Sequence, residues 1–284
     1  MQIEKMKKMK STHKLLLNLL IGLSCSGLIT PAIAESLEVE VPLLIPPSGK
    51  EIAEEAWERD RGFGEFSARI VMTTVKSDGS KVIRRLRTKT KETDVGDKSI
   101  SVFDAPKDIK GIARLTYANE NGNDDQWMYI SDRKRVKRIS SVNDKTPFMG
   151  TDFAFEDLGT QRPEEVGSYL YSYQRTEACG DDDCYVIKRF PLNPYSGYSM
   201  QLVYINKSYY RTEKIEYFDK NKKALKVLTY ANYQLFKDRY WRPGVMLMKN
   251  TQTGSQTKVK WSGYKFGGGS RVSDFTPARL KRIR

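Results

Sequence analysis

Cys179 and Cys184 enclose Gly180 and three consecutive aspartates, Asp181 to Asp183. Two thiols at this spacing have three chemical uses. A redox dithiol is more often Cys-x-x-Cys. A metal loop would combine both thiolates with an aspartate, but zinc sites normally recruit further Cys or His. A disulfide that pins a turn is the reading favoured in an oxidising compartment. Acidic pairs recur at Asp124-Asp125, Glu156-Asp157 and Glu164-Glu165. Paired carboxylates can serve glycoside hydrolysis, yet most adjacent acids are turn or cap residues. No Gly-rich phosphate loop joins a predicted strand to a predicted helix, and Gly267 to Gly269 read as a flexible joint. These residues assign no catalytic group, no metal and no cofactor, and the chain is read as a non-enzyme.

The single histidine, His13, falls in a stretch with the three parts of a secretory signal. Lys5, Lys7, Lys8, Lys10 and Lys14 form a positive n-region, Leu15 to Ile29 is largely apolar, and Ala32-Ile33-Ala34 is a small-x-small cleavage site. The apolar core is shorter than the ~20 residues that span a bilayer, and Pro31 would break a continuing helix. Residues 1–34 are therefore expected to be a signal peptide cleaved after Ala34, with the mature chain in the periplasm. A lipoprotein signal cut before Cys25 fits less well, because Gly22 rather than Leu stands three residues before it. Cleavage would remove His13 and Cys25, leave 250 residues and lower the net charge from +14 to +10. Without histidine, Ser-His and Cys-His nucleophiles and His-ligated metals are excluded. Export argues against nucleic acid, and a basic surface then suits peripheral contact with an anionic membrane.

The elements that must position these residues follow from periodicity. Residues 35–48 form an extended N-terminal tail held open by Pro42, Pro46 and Pro47, and residues 49–284 form one domain. Ser48 and Glu51 stand in capping-box relation ahead of a helix over 50–61, whose apolar face is Ile52, Ala53, Ala56 and Trp57. From Phe66 the period changes to two. Strands are predicted at 66–73, 82–93 (strongly basic), 99–103, 112–118, 126–131 and 136–140. Further strands follow at 169–175, 185–190, 200–206, 211–218, 224–233, 245–250 and 257–266. Short helices are predicted at 153–158 and 163–166. The simplest account is mainly β: a continuous antiparallel meander of ~10–12 strands in one curved sheet, with a dry face, a wet face and a few covering helices. Aromatic and basic residues interleave at Tyr209-Tyr210-Arg211 and Arg239-Tyr240-Trp241-Arg242. They read as strand aromatics or as an interface with headgroups or a partner.

Gln126-Trp127-Met128-Tyr129-Ile130, the basic run Arg133 to Arg138, Phe148-Met149-Gly150-Thr151-Asp152-Phe153 and Glu156-Asp157-Leu158 together resemble the outer-membrane lipoprotein-sorting family, with its LolA/LolB-like carrier fold. Lys214 to Asp219, Trp241-Arg242-Pro243 and Phe275-Thr276 with Arg279-Leu280 fit the same pattern, so the resemblance covers about residues 55–282. It implies an incomplete, half-open β-barrel with helices over its open side, an apolar cavity for acyl chains and no chemical reaction. It also implies work with an inner-membrane exporter of the resistance-nodulation-division type. Alternation along the strands nominates Phe66, Ile70, Met72, Leu86, Val102, Met128, Ile130, Met246 and Met248 as cavity residues; a one-residue slip in register would move a strand's set to the other face.

The expected function is thus a non-enzymatic carrier for a lipid, a lipoprotein acyl chain or another apolar cargo. The alternative is an envelope interaction module that docks on an exporter complex without carrying lipid. An integral outer-membrane barrel is disfavoured by the charged strands and the basic C-terminus.

Overall fold

The computed structural model describes residues 46–119, 124–159 and 166–282. The expected signal peptide, most of the 35–48 tail, Glu164-Glu165 and most of the helix predicted at 163–166 lie outside the described residues. Helix α1 is Gly49–Asp60. Its capping box forms as read: the Glu51 N–H donates to Ser48 Oγ (3.2 Å), and the Ser48 N–H donates to Glu51 Oε2 (2.7 Å). Ile52 and Ala56 are buried, so the apolar stripe faces the core.

Strands β1 (Glu65–Val75) and β2 (Lys81–Lys91) form a hairpin. β3 (Lys98–Ala105), β4 (Ala113–Tyr117), β5 (Asp125–Ile130) and β6 (Arg135–Ile139) extend it as a meander. A second meander runs through β7 (Tyr169–Cys179), β8 (Asp182–Pro191), β9 (Tyr198–Asn206), β10 (Thr212–Asp219) and β11 (Ala224–Ala231). β12 (Gln234–Phe236) and β13 (Tyr240–Arg242) pair as a separate ribbon, then β14 (Val245–Asn250) and β15 (Gln256–Phe266) rejoin the sheet. The main sheet holds 13 antiparallel strands in the order β6-β5-β4-β3-β2-β1-β15-β14-β11-β10-β9-β8-β7. It does not close: β6 and β7 are its two edges.

The half-open, mainly β architecture agrees with the sequence reading. The connectivity differs from one continuous meander, because β1 pairs with β15 and the two ends of the domain meet at the centre of the sheet. A strand pairs along both edges, and which distant strand takes the second edge of β1 is not encoded in its own periodicity. The small β12–β13 ribbon lies within 234–242, where three-residue strands carry no readable alternation.

Register and burial assign the faces. Phe66, Ala68, Ile70, Met72 and Thr74 of β1 point to the concave face. Their partners on β15 include Trp261 opposite Ile70 and Val259 opposite Met72. The main core lies on this concave side, where Ile70, Met72, Leu86 and Phe103 meet Ile187, Val203, Ile215, Leu228 and Met248. α1 covers it above β7 and β8 through Ile52 and Ala56. Residues 140–159, between β6 and β7, form a strap with short 3-10 turns at Phe148–Gly150 and Phe155–Leu158. Phe148 and Phe153 of the strap are buried in the same core. On the convex side, helix α2 (Pro277–Leu280) and Phe275 pack over Val102, Ala113 and Leu115.

Cys179 and Cys184 are joined as a disulfide across the β7–β8 turn, and Cys184 is fully buried beside Val186 and Tyr204. Closing so short a loop stabilises by about 2 kcal/mol in the chain-entropy treatment. The Cys179→Ala/Cys184→Ala pair should lower the urea midpoint accordingly, and an unchanged midpoint would show that the turn is held by the ladder alone.

Candidate functional site

The concave face retains a cavity of about 270 Å³ beneath α1. Its floor is aliphatic: Ile187 of β8, Val203 and Ile205 of β9, and Ile215 of β10. Its walls are aromatic: Tyr217, Tyr230, Tyr233, Trp261 and Tyr264, with Met246 between them. α1 closes it with the small side chains of Ala53 and Ala56. Small residues on the helix and large ones on the sheet leave the space unfilled, because the helix cannot descend past the tyrosine rings.

Burial raises the hydroxyl pKa values of Tyr233 and Tyr264 above the ordinary phenol value. These two hydroxyls therefore stay protonated, and the walls offer flat apolar ring faces together with polar hydroxyls. The Tyr233 hydroxyl donates to the Thr212 carbonyl, and the Tyr264 hydroxyl donates to the Pro243 carbonyl at 3.0 Å. Trp261 stacks on Tyr264 with centroids 5.9 Å apart, and its indole N–H points at Met246 Sδ at 3.2 Å. The wall is thus fixed by its own contacts before any ligand arrives.

The cavity has polar ends. At one, Arg189 of β8 donates to Gln201 at 2.5–2.8 Å and lies 4.2 Å from the centroid of Tyr169. Asp144, Glu156 and Asp157 of the strap line the same end. Burial, reinforced by the charge of Asp157, pushes the Glu156 carboxyl up to about 7, against hydrogen bonds from Ser196 and the Gly197 N–H (2.8 Å). Burial likewise pushes Asp144 up to about 6. Asp157 is tied to Lys226 of β11 at 2.6 Å, with both side chains buried, and accepts the Tyr198 hydroxyl at 2.7 Å. These acids are therefore spent on docking the strap, and no group of them among the described residues is arranged to hold a metal.

At the other end the two aromatic-basic motifs come together. Arg211 lies 4.5–5.0 Å from the ring centroids of Tyr209, Tyr233 and Trp241. Arg239 donates to the carbonyls of Glu58 and Arg59 at the end of α1. Behind them Arg242 forms a buried ion pair with Asp60, among the rings of Phe63, Phe66, Tyr240 and Phe266. The β12–β13 ribbon thereby holds the C-terminal end of α1 to the sheet.

The nine nominated residues divide. Phe66 and Met246 line the cavity. Ile70, Met72, Leu86 and Met248 lie on the concave face in the packed core next to it, with Met128 packed against that core. Ile130 shares the face of Met128 on β5 but lies at the sheet margin, outside that core. Val102 faces the convex side, under Phe275 and Leu280. Alternation in β3 carries apolar residues on both faces, so its polarity cannot be read from that strand alone. Apolar alternation does not single out the tyrosines, because a phenol ring counts as polar at its tip and apolar on its faces. The available signal was the count of 16 tyrosines, many placed two residues from an aliphatic on one strand, as in Ile215 and Tyr217.

A family model described as an uncharacterized protein matches residues 96–282. No curated protein matches the chain. A crystal structure of an outer membrane lipoprotein-sorting protein domain from Vibrio parahaemolyticus is 39% identical, covers 82% of this chain and 98% of its own, and superposes with a TM-score of 0.79. A DUF1329 family protein from Desulfovibrio piger is 25% identical, covering 82% of this chain and 97% of its own, with a TM-score of 0.76. A LolA superfamily protein from Nitrosomonas europaea shares the fold at 21% identity, covering 81% of this chain and 98% of its own, with a TM-score of 0.66. With an open 13-stranded sheet, a helix over its concave face and 39% identity across nearly the whole Vibrio domain, the chain belongs to the outer membrane lipoprotein-sorting protein family.

Proposed function

We propose that this chain is a periplasmic, non-enzymatic carrier that shields an apolar cargo, a lipid or a lipoprotein acyl chain, on its concave face. The observation that carries this reading is the cavity under α1, apolar on its floor and lined by neutral aromatic rings. Transfer through water needs such a site, since each CH₂ kept from water contributes about 0.8 kcal/mol. The volume of about 270 Å³ lies near the low end of small-molecule sites (~300–1,000 Å³), so it suits one slender chain. Export by residues 1–34 would put the protein in the compartment where lipoproteins are sorted, with a resistance-nodulation-division type exporter as a partner.

Native mass spectrometry of protein purified from the envelope tests the proposal directly: a lipid-sized mass should remain bound. In solution, a fluorescent acyl probe should bind the wild type, and Ala53→Trp, which puts an indole into the cavity, should weaken it at least tenfold while the thermal midpoint is kept. A lipid-free protein that also ignores the probe removes the basis of the carrier reading. A second reading, a docking module without cargo, draws on the strap, whose Phe148 and Phe153 already fill part of the concave face. Stoichiometric capture by an exporter with no lipid mass would favour it.

A further inference from the structure

We infer that the convex face of the four central strands β2-β1-β15-β14 is a docking surface for an anionic phospholipid membrane. This surface is separate from the cavity, since it lies on the other side of the same strands. The register places its side chains in rows. Lys89, Ser67 and Lys265 form one, and Arg87, Arg69 and Ser262 the next. Arg85, Val71, Lys260 and Val245 form a third, and Ile83, Thr73, Lys258 and Leu247 a fourth. Lys249, opposite Gln256, ends the field. Arg69, Arg85, Lys258, Lys260 and Lys265 are all exposed.

The acids do not match this charge. Asp104 pairs with Arg87 at the flank, and the buried Glu65 lies 3.7 Å from Lys89. Arg69, Arg85, Lys249, Lys258, Lys260 and Lys265 form no ion pair among the described residues. Arg69 stands directly opposite Arg87, and Lys89 and Lys265 flank Ser67 from either side. Like charges on facing strand positions destabilise a sheet. Such crowding works against the fold, and an anionic surface lying over the field would relieve it.

The shape of the field points to a membrane. Strands about 4.8 Å apart, with same-face residues roughly 7 Å apart along each strand, spread the cations in an open lattice without a groove, offset by one residue at the β15 bulge opposite Ser67 and Arg69. A fluid layer of phosphates can match that lattice, because headgroups move laterally to meet it. Ile83, 41% exposed, stands in the same row as Lys258 and supplies an apolar contact for the headgroup boundary. The rest of the convex side differs: α2 and Phe275 cover β3 to β5, and Val186 and Tyr204 pack with the disulfide on β8 and β9. Docking through the convex face leaves the concave cavity free to hold cargo at the same time.

The test is co-sedimentation of the purified protein with vesicles of phosphatidylglycerol in phosphatidylcholine, against vesicles of phosphatidylcholine alone. The wild type should bind the anionic vesicles, be released by high salt, and leave the neutral ones in the supernatant. Each cation near an anionic surface contributes about 1 kcal/mol, about fivefold in affinity. The combined Arg69→Gln, Arg85→Gln, Lys258→Gln, Lys260→Gln, Lys265→Gln variant should therefore bind at least 100-fold more weakly. A control with the same charge loss at exposed sites elsewhere (Lys107, Lys110, Lys137, Lys222 and Lys223 to Gln) should stay within threefold of wild type. Circular dichroism checks that both variants fold, and acyl-probe binding should be equal in both. That readout separates this proposal from the carrier reading, which could fail without touching vesicle binding. A wild type that ignores anionic vesicles overturns the proposal and leaves the face to an acidic protein partner. Equal weakening of the variant and the control overturns it as well, since net charge alone would then be acting.

Discussion

Lys226→Ala should be the most damaging single substitution in the concave face, costing about 3–5 kcal/mol of folding stability. Lys226 Nζ lies 2.6 Å from Asp157 and 3.0 Å from the Asp152 carbonyl, and its side chain is 5% exposed against 1% for Asp157. Truncation leaves Asp157 buried with neutral donors only, the Tyr198 hydroxyl and the Ala154 N–H. An uncompensated buried charge is worse than an absent pair. The Lys226→Met/Asp157→Asn double variant removes both charges; the asparagine oxygen can accept the Ala154 N–H while its amide NH₂ donates to the Tyr198 hydroxyl oxygen, so it should recover at least half of the loss. The pair also fastens the strap to β11, and amide exchange at Phe148, Thr151 and Phe155 should accelerate in the single variant before global unfolding. Urea unfolding checks both numbers. A single variant within 1 kcal/mol of wild type, or a double variant no better than the single, would mean that the strap is held by Phe148 and Phe153 rather than by charge.

The second large effect is a stability that falls as pH rises. The Glu156 carboxyl has an ordinary pKa of 4.5 and is held at about 7 in the folded protein by burial and by Asp157. Between these values the unfolded chain has released the proton while the folded chain keeps it. The unfolded state then binds fewer protons, so stability decreases with rising pH across this window and the loss is complete above about pH 7. The size is on the order of 2–3 kcal/mol. Asp144, raised to about 6, acts in the same direction from lower pH. Glu156→Gln isolates the first group: its amide oxygen can still accept the Gly197 N–H, but it does not ionise. The variant should match the wild type near pH 4.5 and exceed it at pH 8 by that amount, read from urea midpoints. Parallel pH curves for the two proteins would show that Glu156 ionises freely. Both carboxyls sit where the strap meets the sheet, so the strap should be the region that loosens as pH rises.

Much of this protein is visible in local pattern. The α1 capping box at Ser48 and Glu51, the alternation of Phe66, Ile70 and Met72, the Cys179–Cys184 disulfide and the mainly β character of the strands all depend on neighbours within a few residues. Their chemistry is short-range, and a sequence states short-range chemistry directly. The cavity is less visible. It exists because tyrosines from β10, β11 and β15 meet small residues of α1, and no single segment contains that juxtaposition. Val102 shows the limit most sharply: its strand reads apolar, but the C-terminal Phe275 and Leu280 turn its side toward another core.

The basic character of β2 and of β15 is a property of the sequence alone, as are the 16 tyrosines and the crowding of cysteine with aspartate near residue 180. Only the tertiary structure decides that β1 joins the two basic strands into one field on the convex face, while the tyrosines converge on the concave one. The physical reason is the same in both cases. Strand alternation sorts side chains into two faces, but long-range pairing decides which strands share a face, and that pairing is set by the whole sheet rather than by any one strand.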